Sequence, residues 1–114
     1  MAKDRLEKLY RTAPRDPTPY IDVQLRATKA LLKFCEDHGR TAGLEDIKNS
    51  LAALEQGNVL LAIEYYQKVP LGGAGTFSDW WPEPLSQETG EYAWTVFEAL
   101  VAYWSNLMKL SLKK

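Results

Sequence analysis

Cys35 and His38 stand three positions apart in KFCEDHG, one helical turn, the separation at which a thiol and an imidazole can form a nucleophile pair. Asp79, Glu83, Glu88 and Glu91 offer carboxylates from which a general acid and a general base could be drawn. Both sets have a plainer reading. Cys35 falls on the apolar face of its helix and no Asn or Asp is placed to orient His38, so a buried thiol beside a helix-end histidine accounts for the pair. Two such ligands also fall short of a zinc site. Carboxylates in a loop and at a helix start commonly serve as caps and dipole partners. The sequence thus assembles no catalytic and no metal-binding set, calls for no cofactor, and is expected to belong to a protein that is not an enzyme.

The stretch VPLGGAGTFSDWWPEP, residues 69–84, poses a second chemical question, whether its glycines cradle a phosphate. GGAGTF lacks the G-x-x-x-x-G-K-[ST] pattern, follows a helix instead of a strand, and has no Lys or Arg from Leu71 to the end of the loop; Asp79 and Glu83 would repel the anion. What remains is a connection without helical or strand period, longer than the roughly 12 to 15 residues beyond which loops are usually functional or disordered. Leu71, Phe77, Trp80, Trp81 and Leu85 are too apolar for a solvated tail. The segment is therefore expected to fold back on a helical body with aromatics as anchors. Gly72, Gly73 and Gly75 would permit left-handed backbone, and Pro82 and Pro84 would hold WWPEP extended. Phe77, Asp79, Trp80, Trp81, Glu83 and Tyr92 form the candidate binding surface, since Trp and Tyr dominate recognition hot spots; a purely structural loop is the competing reading.

The elements that must position this loop are helices. The spacing predicts a short one from Ala2 to Tyr10, stopped by TAPRDPTP, whose prolines break helical hydrogen bonding. From Tyr20 to Asp37 one face carries Ile21, Leu25, Ala27, Leu31, Leu32, Phe34 and Cys35, and the other is charged. Gly39 closes this helix, with His38 or Arg40 suited to the negative end of its dipole. A third helix covers Ala42 to Gln56, with Leu44, Ile47, Leu51 and Leu54 inward. Gly57 ends it and Asn58 caps the next, so the two must form an antiparallel hairpin. The last helix, from Glu88 or Glu91 to Leu110, is apolar nearly all round and is expected at the centre of the bundle. Trp94, Phe97, Leu100, Val101, Trp104, Leu107 and Met108 would be its core residues.

Two local resemblances follow from these residues. GNVLLAIEYYQK is similar to the second helix of a tetratricopeptide repeat, through Gly57, Asn58, Ala62, Ile63 and Tyr66. It covers half a repeat, and since stacked repeats need about three copies, it implies a helical hairpin and no array. VPLGGAGTFSDWWPEP resembles the P-x-G-G-x-G-x-F-x-D-W loop of small bacterial helical proteins of unassigned function, through Pro70, Gly72, Gly73, Gly75, Phe77, Asp79 and Trp80. That resemblance implies a bacterial source and a purposeful loop in which Asp79 bonds the glycine backbone, and implies no activity.

A chain of 114 residues, with four Trp, six Tyr and three Phe as packing material, has the size of one domain, 1–114. The start, MAKDRLEKLY, has no apolar run of signal length, and the single cysteine cannot form an internal disulfide; both point to the cytoplasm. Charged residues bracket the apolar part of the last helix too closely for a membrane span. Residues 1–40 carry nine Lys or Arg against six Asp or Glu, and residues 41–108 carry two against nine. The later part therefore favours basic partners and disfavours nucleic acid. The sequence reads as an all-α, single-domain bundle of four to five helices with a long structured Gly/Trp/Pro loop before the last one. The function it points to is a non-catalytic interaction protein that engages a basic protein partner, as an inhibitor or toxin-neutralising protein would. The alternatives are a small-ligand binder or enzyme with its pocket between the loop and the last helix, and a homodimer with a structural role.

Overall fold

The computed structural model describes residues 18–112. The expected first helix, Ala2 to Tyr10, lies outside them. A single 3-10 turn, Thr18–Tyr20, leads into α1 (Ile21–Asp37), followed by α2 (Glu45–Glu55), α3 (Val59–Gln67) and α4 (Gly90–Lys109). The fold is all-α, with no strand among the described residues.

Local signals set the helix ends. Gly39 ends α1 at φ 83°, a left-handed turn in which Arg40 N–H reaches Cys35 O at 2.8 Å and Gly39 N–H reaches Glu36 O at 3.1 Å. This pair of bonds satisfies carbonyls that the helix itself leaves free. Gly57 repeats the arrangement after α2, with Asn58 N–H on Ala53 O at 2.8 Å. Asn58 then caps α3 through its side chain, accepting from Leu61 N–H at 3.2 Å. At α4 the cap is Thr89, whose Oγ1 accepts from Tyr92 N–H at 3.0 Å. The helix therefore starts at Gly90, between the two glutamates expected to open it.

α1 is the middle helix, packed on α4 along one side and on α2 along another, while α3 returns along α2 as a hairpin. Phe34 stacks on Phe97 at 6.1 Å at one end of the antiparallel α1–α4 contact. At the other end Gln24, fully buried, donates through Nε2 to Leu107 O at 3.0 Å and to Ser111 Oγ at 2.8 Å. A glutamine thus stands on a face expected to be apolar, and closes one of the carbonyls at the end of α4. α3 meets α4 where Tyr66 sits edge-on to Trp104 at 5.1 Å and its hydroxyl pairs with Ser105 Oγ at 2.6 Å.

The last helix is not central. Phe97, Val101, Trp104 and Met108 are buried, but Tyr92, Tyr103 and Leu110 are exposed and Trp94 is half-buried. The apolar sector of α4 is wider than the surface that α1, Tyr66 and the loop offer it. No helix among the described residues is long and apolar enough to cross a membrane.

Candidate functional site

The loop between α3 and α4 divides into two halves. The first, Pro70 to Asp79, is tied to itself. Phe77 N–H reaches back to Pro70 O at 2.9 Å. Inside that closure Ser78 Oγ accepts from Gly72 N–H at 2.8 Å and Asp79 Oδ2 accepts from Gly75 N–H at 2.7 Å. Gly75 has φ 79°, a conformation a side chain would resist, so glycine and aspartate together set the turn. Asp79 bonds the glycine backbone as its place in the motif implies.

Phe77 is buried against Phe97, ring centroids 5.7 Å apart. Trp80 is half-buried, edge-on to Phe97 at 4.9 Å and to Phe34 at 6.4 Å. These two candidate binding residues face inward and anchor the loop. Arg40 locks them from outside: its guanidinium lies 4.2 Å from the Phe77 ring and 5.0 Å from the Trp80 ring, and Nη1 donates to Phe77 O at 2.7 Å. Arg40 was expected to serve the end of α1; instead it spans from that helix to the loop, and burial lowers its pKa from the ordinary value. Sequence spacing gives no sign of this contact, because Phe77 is 37 positions away and Trp80 farther still.

In the second half, side chains alternate as on an extended strand. Trp80 and Pro82 face inward, Pro82 fully buried, while Trp81 and Glu83 face solvent. Trp81 is 60% exposed, yet it is held: its ring stacks on Trp94 at 5.1 Å and 19°. Gly90 makes room for it, since a Cβ there would come within 3.3 Å of the Trp81 Nε1. Glu83 is next but one in sequence, and Glu91, exposed, precedes Trp94 by three positions on the same helix, where side chains are neighbours. Trp94, expected in the core, is the supporting ring of this platform. Tyr92 is exposed but is two positions from Trp94 on the helix, more than half a turn round, so the fold does not bring it to the same face.

Cys35 and His38 are not bonded to each other. Cys35 is fully buried and burial pushes its thiol up to about 12, where it stays protonated and unreactive. His38 has both nitrogens engaged elsewhere: Nδ1 with Phe34 O at 2.8 Å and Nε2 with Glu88 Oε1 at 2.8 Å. The same Glu88 oxygen accepts from Leu85 N–H at 2.9 Å, and that backbone bond, with the His38 bond, holds the carboxyl below its ordinary range. The His38–Glu88 pair ties the end of α1 to the turn before α4. Among the described residues no group of His, Cys, Asp and Glu could hold a metal ion.

An open groove of ≈ 690 Å³ runs between the first half of the loop and α4, with Asp79, Glu98, Ser105 and Lys109 on its walls. A smaller hollow of ≈ 430 Å³ lies between Arg40, Asp79 and Trp80. Trp81 and Tyr92 line neither. No protein-family model, curated protein or solved structure matches the chain.

Proposed function

We propose that the protein is a non-catalytic interaction protein whose contact surface is the Trp81–Trp94 pair with Glu83 and Glu91 beside it, and that this surface receives a basic segment of a partner protein. The carrying observation is an indole 60% exposed that is nevertheless held by stacking on Trp94 and by the buried Pro82 beside it. A preplaced aromatic loses little freedom on binding. A Lys or Arg lying over such a ring gains about 0.5 to 2 kcal/mol, and the adjacent carboxylates add attraction that salt would screen. An inhibitor or toxin-neutralising role suits a small surface of this kind, and the single buried thiol suits a reducing compartment such as the cytosol.

Titration with a lysine- and arginine-rich peptide, followed by tryptophan fluorescence at low and moderate salt, tests the reading. Saturable binding that salt weakens, and that Trp81→Ala and Glu91→Gln each reduce, is expected. Binding of that peptide, or of any partner, that is indifferent to Trp81→Ala would refute it.

A further inference from the structure

α4 carries a second apolar stripe beside the one that faces the core. Tyr92, Val96, Ala99, Tyr103, Asn106 and Leu110 recur at alternating spacings of four and three, the seam of a helix that packs against another helix. Among the described residues nothing covers this seam: Tyr92 is 58%, Tyr103 56% and Leu110 42% exposed, Ala99 and Asn106 are exposed and Val96 half-buried. The seam lies on the opposite side of α4 from the tryptophan platform, because Tyr103 and Trp94 are nine positions, about two and a half turns, apart.

We propose that this seam is the interface of a homodimer in which two copies of α4 pack antiparallel about a two-fold axis level with Val101. The stripe is complementary to itself in that register. Ala99 of each copy comes level with Tyr103 of the other, so a small residue receives a large one on both sides of the axis. Tyr92 comes level with Leu110 at both ends. Charge selects the direction: Glu91, Glu98 and Lys109 share one flank of the helix. An antiparallel two-fold keeps this flank of both copies on the same side of the seam and brings Lys109 within a turn of Glu91 of the second copy, whereas in a parallel pair the two charged flanks fall on opposite sides of the seam and no such cross-pair forms. The acidic flank also disfavours an anionic lipid surface as the cover. A single helix pair falls at the small end of specific interfaces, below about 1,200 Å², and Asn106 adds a polar group to the seam. The dimer is therefore expected to form at micromolar concentration.

Sedimentation equilibrium of the full chain from low to several hundred micromolar is the test. A reversible dimer is expected, weakened more than about tenfold by Tyr103→Glu with unchanged helical circular dichroism, and unaffected by Trp81→Ala, which separates it from the proposed platform. Mixing Ala99→Cys with Tyr103→Cys chains and oxidising should give mainly the mixed crosslink; Cys35 is buried and does not compete. A chain that stays monomeric throughout, or whose monomer binds lipid vesicles instead, overturns the proposal, and so does preferential crosslinking of Ala99→Cys to itself, the mark of a parallel pair.

Discussion

Trp80 and Trp81 are neighbours of identical chemistry with opposite placements, one wedged against Phe97 and Phe34, the other standing in solvent on Trp94. The difference is produced by backbone, since an extended chain turns successive side chains to opposite faces. Pro82 and Pro84 restrict the residues before them to extended conformations. The inward half of the loop thus serves as the foundation of the outward half, and the two should respond differently to substitution.

The largest effect should come from removing what the inward half rests on. Phe97→Ala takes away the ring that Phe34, Phe77 and Trp80 all touch, and is expected to cost about 3 to 5 kcal/mol in urea unfolding, with loss of the loop's protection from proteolysis. Arg40→Ala should cost less, about 1 to 3 kcal/mol. It removes the bond to Phe77 O and the guanidinium over two rings, and should open the loop to protease well below the global unfolding midpoint. A Lys at 40 should restore little, because an ammonium cannot lie flat on both rings and bond the carbonyl.

A smaller effect is tied to pH. The Glu88 carboxyl is held below its ordinary value near 4.5, so its contribution is fully present above that value and is lost as pH falls through the lowered one. Unfolding midpoints measured across the acid range should therefore drop less steeply for Glu88→Gln than for the native chain, with no such difference at neutral pH beyond a constant offset. An identical acid profile would show that the bonds from Leu85 N–H and His38 to the Glu88 carboxyl do not form in solution.

Helix ends were the legible part of the sequence. Gly39, Gly57 and Asn58 act within a few residues of where they stand, and the structure uses all three as expected. The glycine–aspartate turn was legible for the same reason, since Asp79 bonds a backbone only four positions back. Arg40 on Phe77, Gln24 on Leu107 and His38 on Glu88 were not, because each joins distant segments through a side chain whose type allows many partners. The position of α4 is hidden from the sequence for another reason. A helix apolar all round has the same pattern whether its chain buries it or leaves one side uncovered. Trp94 sits at the flank of the core stripe, where sequence cannot distinguish packing inward from supporting Trp81.

The central claim is that Trp81 is both exposed and held still. Relaxation of the indole N–H groups by NMR, with a soluble paramagnetic agent, measures both properties at once. The account predicts that the Trp81 indole tumbles with the backbone of α4 while the agent broadens it strongly, and that Gly90→Val loosens it. An indole moving freely on the fast timescale, or one shielded from the agent in the monomer, would contradict it.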